Sequence, residues 1–271
     1  MPDVLFHAPT TVDDAVALAA GDDAVLVGGA TSITPLLRER LLEPAALVWL
    51  GRVAGLRGIA AGDDGSLRVG AMSTLADLVA SGAVRRRQPM VWAAAGEVGN
   101  PRVRAVATVG GAVVHADPRQ DLLPALLAAG ASLRVAGPAG SRSVALADGF
   151  YRGFLETGLR DGEVVTALWL PAPAAGTREA YERFTPGSRE HYPTVAVAAR
   201  VTATAVALGL GGVAPTPLLV TGTPADVLDR AVGAAAPIDD ERGSARYKTA
   251  MVAVIAARVL ARVLPEPPVT I

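Results

Sequence analysis

The periodicity of apolar and polar positions changes several times along the chain. From Thr10 to Ala20, the run Thr-Thr-Val-Asp-Asp-Ala-Val-Ala-Leu-Ala-Ala opens on a hydroxyl and places two acids next, the arrangement a helix N-terminus favours. Gly21-Asp22-Asp23 breaks that helix, and Ala24-Val25-Leu26-Val27 then reads as a buried strand running straight into Gly28-Gly29. A second helix, Ile33 to Leu42, starts at that glycine pair, so its first N–H groups face whatever the loop holds. Leu47 to Leu50 reads as another strand. Ile59 and Leu67 to Gly70 flank an Asp64-Gly65 turn in the manner of a hairpin. Helical spacing returns at Ser73 to Ser81, at Met90 to Val98 and at Asp121 to Ala129, the last closed by Gly130. Ser132 to Ala136 is a strand, Thr194 to Leu210 splits into two paired strands, and Ser244 to Leu264 is a long terminal helix.

Pro171-Ala172-Pro173-Ala174-Ala175-Gly176 is the clearest linker and marks a domain boundary. The order of elements predicts α+β modules in series and not one doubly wound parallel sheet.

Composition then narrows the chemistry. The chain has 271 residues, 51% of them hydrophobic, ample for a sizeable core or for two or three smaller ones. Lys and Arg number 25 against 26 Asp and Glu, so a net charge of -1 gives no electrostatic reason for a nucleic acid or membrane surface as partner. Apolar runs such as Ala250 to Ala257 are too short to span a bilayer, and the start at Met1-Pro2-Asp3-Val4 lacks a basic segment followed by a long apolar one. A cytoplasmic location is expected. Cysteine is absent, which excludes disulfides, thiolate metal sites and an iron–sulfur cluster held by this chain. His7, His115 and His191 are far apart and show no metal-ligand spacing. Redox work here would need an organic cofactor.

Two diglycines carry the candidate chemistry, Val27-Gly28-Gly29-Ala30-Thr31-Ser32 and Thr108-Val109-Gly110-Gly111. Backbone without Cβ atoms approaches a diphosphate closely and aims N–H donors at it, while Thr and Ser add neutral donors. Either pair alone reads equally as a tight turn at a strand end. Neither spells Gly-x-Gly-x-x-Gly, and Gly51-Arg52 stands where a dinucleotide fold places an acid.

Four ordered blocks together resemble one family. These are Val25 to Ser32, Trp49 to Ile59, Val103 to Gly111, and His115-Ala116-Asp117-Pro118-Arg119-Gln120-Asp121 continuing to Leu126. With Gly211 to Pro217 and the last helix, they are similar to the FAD-binding medium subunit of molybdenum hydroxylases, over nearly the whole chain. The resemblance implies a two-subdomain FAD-binding fold of the vanillyl-alcohol oxidase type, residues 1–58 and 59–171, followed by an α+β domain, 177–271. It implies that Leu26, Val27, Gly28, Gly29, Ala30, Thr31, Ser32 and Ile33 wrap the diphosphate and adjoining parts of FAD. Thr108, Gly110, Gly111 and Ala112 form the opposing turn, Asp121 is a cofactor-contacting acid, and Val165 adds a backbone contact.

Asp117 and Asp121 flank Pro118 just before a helix, so each also reads as a cap. His115, on an expected strand, is a candidate cofactor contact or a structural histidine. Arg104 is expected to brace its loop. Tyr192 is placed where the family presents a ring to the isoalloxazine. Phe184-Thr185-Pro186 departs from the family, in which a lysine is common near Thr185, and Ala30 and Ala112 stand where polar residues are common.

The resemblance implies an electron-transfer flavoprotein subunit. A large molybdopterin-binding partner oxidises substrate, a small [2Fe-2S] partner relays electrons, and FAD passes them to an external acceptor, in a dimer of heterotrimers. A self-contained flavin oxidoreductase and a flavin-free scaffold subunit remain as alternatives.

Overall fold

The computed structural model describes residues 4–264, so Met1 to Asp3, read as lacking a signal segment, and 265–271 of the last domain lie outside the described residues. A small parallel sheet comes first, built from β1 (Leu5–His7), β2 (Ala24–Val27) and β3 (Ala46–Trp49) in the order β1-β3-β2. Parallel strands need crossovers, supplied here by α1 (Val12–Ala19) and α2 (Ile33–Arg38). α1 starts where its cap predicts, the Thr11 hydroxyl accepting from the Asp14 amide at 3.1 Å. α2 is shorter than its apolar pattern, because Arg40 takes a left-handed conformation (φ 55°) that turns the chain out of the helix.

The second module opens with β4 (Ile59–Ala61) and β5 (Leu67–Gly70). Six short helices follow: α3 (Leu75–Ala80), α4 (Gly82–Arg87), α5 (Pro89–Glu97), α6 (Pro101–Val106), α7 (Val109–His115) and α8 (Leu122–Ala128). Then come β6 (Ser132–Gly137), β7 (Gly140–Ala145), a two-stranded ribbon of β8 (Tyr151–Gly153) and β9 (Glu156–Thr157), and β10 (Val164–Leu170). The antiparallel order β4-β5-β10-β6-β7 forms the sheet against which α7 packs at β5 and β10, whereas α8, with Leu122, Leu123 and Leu126 fully buried, packs against α5 and the third module. Sequence periodicity marks only α3, α5 and α8 here. α4 buries only Val84, α6 buries none of its residues and α7 carries the diglycine, so none of the three shows an apolar face in sequence, and each depends on a cap: Ser81, Asn100 and Thr108.

The third module is an antiparallel meander of β11 (Arg178–Phe184), β12 (Val195–Val201), β13 (Val206–Gly211) and β14 (Leu218–Gly222), with α9 (Val227–Ala234) and α10 (Ala245–Val263). Its sheet is covered on both faces. Val195, Val197 and Ala199 of β12 pack with Val252, Ile255 and Val259 of α10, whereas Ala196 and Ala198 join the core of the second module. That arrangement explains why β12 reads as a continuous apolar run and not as an alternating one.

β11 alternates between the same two surroundings with polar residues. Ala180 and Phe184 pack toward the α10 core, and Glu182 meets Arg262 at 2.5 Å. Glu179, Tyr181 and Arg183 make their polar contacts across the boundary with the second module or along it.

Candidate functional site

The two glycine segments meet. Gly28 lies against the Thr108 side chain, where a Cβ would stand 2.5 Å from Oγ1, and Gly29 lies against the Val106 carbonyl, where a Cβ would stand 1.8 Å away. Glycine at both positions is therefore required by the close approach of the first loop to the α6–α7 connection. Segments some eighty positions apart in sequence form one surface.

Their backbones are used differently. In the first loop, Ala30 is left-handed (φ 59°) and Ser32 right-handed, a succession that turns consecutive N–H groups toward one side as an anion-binding nest does. Among the described residues, the N–H groups of Gly29, Ala30, Thr31, Ser32 and Ile33 donate to no protein acceptor. The Thr34 amide and hydroxyl both return to the Ala30 carbonyl, at 3.0 and 2.7 Å, and hold the loop's curvature.

The second diglycine, read from sequence as a turn, is instead the first turn of α7. Thr108 caps that helix by accepting from the Gly111 amide at 3.1 Å. The Val109 and Gly110 amides donate to the carbonyls of Ser73 and Ala71 at 2.9 and 2.8 Å, and the Ala112 amide to the Thr108 carbonyl at 2.9 Å. Gly110 also sits too close to Ala71 for a side chain, its Cβ position being 2.8 Å from the Ala71 Cβ. Ala71 in turn donates to the Thr166 carbonyl at 3.0 Å, where a β-bulge in β10 interrupts pairing with β6. A bulge in the sheet thus fixes where α7 starts and where Thr108 meets Gly28. In the second segment the amides of Ala107 and of Val109 to Ala112 are all spent inside the protein and that of Thr108 alone is open, so the run of open donors belongs to the first.

Other expected residues are placed as follows. Leu26 and Val27 end β2 just before the loop, with Val27 buried. Ala112 and His115 lie on α7, so His115 is in a helix's last turn and not on a strand: the Thr108 cap commits this stretch to helix and left-handed Ala116 ends it. Burial, with a smaller push from Arg119, lowers the His115 pKa despite the pull of Asp117, which keeps the ring neutral at neutral pH. Val165 pairs with Val135 beside the bulge, its side chain in the core. Arg104 braces its loop through the carbonyls of Val98 and Gly99 at 3.0 and 3.2 Å.

Neither acid flanking Pro118 caps α8. Asp117 is buried and accepts from the Arg119 amide at 3.0 Å and from its guanidinium at 2.9 and 2.7 Å. Its carboxyl is held below the usual range by these bonds against the opposing cost of burial. Asp121 is also buried, with one oxygen accepting from the Tyr181 hydroxyl at 2.6 Å and the other from Arg183 at 3.2 Å. Burial pushes its pKa up to about 6, against the pull of Arg183 and of the tyrosine hydrogen bond. Tyr192, in the β11–β12 connection, presents a ring that is 37% exposed, with the Arg119 guanidinium 5.3 Å from its centroid. The same guanidinium lies 5.6 Å from the Phe154 ring.

Arg119, Tyr181 and Arg183 were not singled out by sequence. For Tyr181 and Arg183, charged residues alternating along a strand read as a solvated face, and only the third dimension shows that this face is covered by another module; Arg119, in the α7–α8 connection, carries no such pattern.

The first 170 or so residues of the chain match a family model described as the FAD binding domain in molybdopterin dehydrogenase, over residues 2–173. The carbon monoxide dehydrogenase medium chain of Afipia carboxidovorans is 33% identical, over 95% of this chain and 95% of its own length. That of Hydrogenophaga pseudoflava is 34% identical, over 94% and 95%. A crystal structure of Cu,Mo-CO dehydrogenase in a cyanide-inactivated form contains a chain that superposes with a TM-score of 0.91 at 31% identity, covering 97% of this chain and 98% of that one. The chain belongs to the FAD-binding medium subunits of the molybdenum hydroxylase family. Its fold is the two-subdomain FAD-binding fold with an added α+β domain, its cofactor is FAD, and it is an oxidoreductase component.

The residues present suit that cofactor. A diphosphate requires donors without requiring cations, and the first loop offers successive free amides beside the Thr31 and Ser32 hydroxyls. Among the described residues no cluster of His, Asp or Glu is disposed to hold a metal, and no helix is long and apolar enough to cross a membrane.

Proposed function

We propose that this chain is the electron-transfer flavoprotein subunit of a multi-subunit molybdenum hydroxylase, collecting electrons from [2Fe-2S] clusters on a small partner subunit and delivering them through FAD to an external acceptor. The observation that carries this reading is the junction of the two glycine segments, with a run of five free amides, Gly29 to Ile33, on the first loop. Residues Leu26 to Ile33 hold the diphosphate, and Thr108, Gly110, Gly111 and Ala112 form the wall against which it lies. His115 and Asp117 border the cleft, and Val165 supports it from β10.

FAD, when bound, accepts electrons singly or in pairs, chemistry that no side chain of a cysteine-free chain supplies. The chain's own work is to bind, orient and shield. The Gly29 to Ile33 amides neutralise the phosphates without arginines, which suits a chain of net charge -1. Neutral His115 adds no charge beside the ring system. Tyr192 covers one face of the isoalloxazine, and no side chain is assigned as nucleophile or general base. Asp121, with both oxygens bonded inside the protein, acts on the cofactor through the residues it holds.

The family relationship supports a large molybdopterin-binding partner that selects the substrate, and a dimer of heterotrimers as the assembly. The test is anaerobic reduction of the copurified complex followed by its visible spectrum. Bleaching of flavin and iron–sulfur bands together, with the isolated chain showing flavin bands that no organic substrate of the complex reduces, is the expected result. Reduction of the isolated chain by such a substrate would make it a self-contained oxidoreductase and overturn the proposal.

A further inference from the structure

We propose that Arg183 is the positioning residue for the Tyr192 ring, anchored for that purpose by Asp121. This inference rests on the reading of Tyr192 as the ring that covers the flavin.

Tyr192 belongs to the third module, while Arg119, whose guanidinium lies over its ring, belongs to the second, so something must fix a loop of one module against another. Residues 185–194 connect β11 to β12, and the last pair of that ladder is Phe184 with Val195. A connection of this length sets the position of its tip poorly by itself. Arg183 stands just before it, with its side chain only 6% exposed, and its guanidinium makes three contacts. One Nη donates to the Glu97 carbonyl at 2.8 Å and to Asp121 at 3.2 Å, both on the second module; the other donates to the His191 carbonyl, the residue before Tyr192. A planar fork is suited to spanning three acceptors in this way, and a lysine ammonium is not.

The other end of the tyrosine is held from the same stretch of the second module. Arg119, locked to Asp117 by two side-chain hydrogen bonds, lies over the Tyr192 ring. Asp117 and Asp121, four residues apart, therefore act through one arginine each: the first on the ring, the second on the backbone that carries it. The Tyr181 hydroxyl completes the Asp121 anchor, so that each of its oxygens accepts a hydrogen bond from β11. Arg183 has no other evident use, since it is buried in a seam where an apolar side chain would pack at lower desolvation cost.

The experiment compares wild type, Tyr192→Leu, Arg183→Lys and the Arg183→Lys/Tyr192→Leu double variant in the FAD-loaded chain, with two readouts. The first is fluorescence of the bound flavin, which a stacked tyrosine quenches. The second is amide hydrogen exchange across residues 186–192, which needs no flavin. Arg183→Lys retains a cation for Asp121, so it is expected to bind FAD at wild-type stoichiometry. It should lose most of the quenching that Tyr192→Leu loses, add nothing further in the double variant, and exchange several-fold faster across 186–192. Asp121→Asn, which removes the anchor and leaves Arg183 in place, is expected to move both readouts in the same direction and serves if Arg183→Lys does not fold. Wild-type quenching and exchange in both Arg183→Lys and Asp121→Asn would overturn the proposal, as would quenching insensitive to Tyr192→Leu. Failure of the wild-type chain to take up FAD would instead defeat the functional reading, and the exchange measurement would still decide whether Arg183 holds the loop.

Discussion

Gly29 has room for a hydrogen and nothing larger, since a Cβ would overlap the Val106 carbonyl at 1.8 Å. Gly29→Ala must push the first loop away from the α6–α7 connection, and overpacking of this kind costs about 1–3 kcal/mol. It is expected to lower the free energy of unfolding by that amount and to weaken FAD retention on gel filtration. Ala30 makes the complementary case. Its left-handed conformation (φ 59°) suits glycine better than alanine and a β-branched residue worst. Ala30→Gly should leave FAD affinity intact with stability unchanged or slightly raised, whereas Ala30→Val should lose on the order of 1–2 kcal/mol, both measurable by urea unfolding. Much of this loop is legible in the sequence, because a β-branched strand entering Gly-Gly before Thr and Ser announces a backbone donor site. What is not legible is that Gly28 and Gly29 are needed for packing against the second segment, or that the amides of Gly110 and Gly111 are spent on Ala71 and the Thr108 cap.

Strand β11 shows how an element can mislead at the level of pattern. Arg-Glu-Ala-Tyr-Glu-Arg-Phe reads as a polar strand at a surface, yet Glu179, Tyr181 and Arg183 are shielded by the second module. Glu179 pairs with Arg200 at 2.6 Å, and Arg200 also donates to the Ala129 carbonyl at 2.6 Å and to the Gln88 side chain at 2.8 Å. Removing only the carboxylate leaves an arginine, 12% exposed, without its counter-charge. Glu179→Ala is therefore expected to cost about 3–5 kcal/mol in global unfolding, far more than a surface pair. Asp121 supplies a pH test of the same seam. Its folded pKa of about 6 lies above the ordinary carboxylate value of 3.8, so the folded state binds the proton more tightly and stability from this group falls as pH rises from about 4 through 6. Asp121→Asn should remove that component, so that the variant loses less stability than wild type between pH 4.5 and about 7 when thermal midpoints are compared. The long elements were readable because they repeat their own period: α10 and the β12–β13 hairpin follow their apolar runs closely. The helices α4, α6 and α7 were not, since arginines in α4 and α6 and a diglycine in α7 interrupt any apolar face and only the caps betray them.

Across the whole molecule, the first two modules bring two glycine segments into contact, and the third brings a tyrosine loop against Arg119 of the second. Of the four sequence blocks that resemble medium subunits, Val25 to Ser32 and Val103 to Gly111 form that junction, so the glycine pairing is legible in the sequence. The β11 side of the inter-module seam falls outside all four blocks and carries no sequence signal of its own. The central claim is that the first loop's free amides hold the diphosphate of FAD. It is tested most directly by titrating the cofactor-stripped chain with FAD and with riboflavin, which carries the same ring system and no phosphate. Charge-assisted hydrogen bonds contribute about 1.5–3 kcal/mol each, so loss of two weakens binding by about a hundredfold or more. Stoichiometric FAD binding with riboflavin weaker by at least that factor is the predicted result; equal affinity for the two, or no uptake of FAD by the intact chain with or without its partners, would contradict the account.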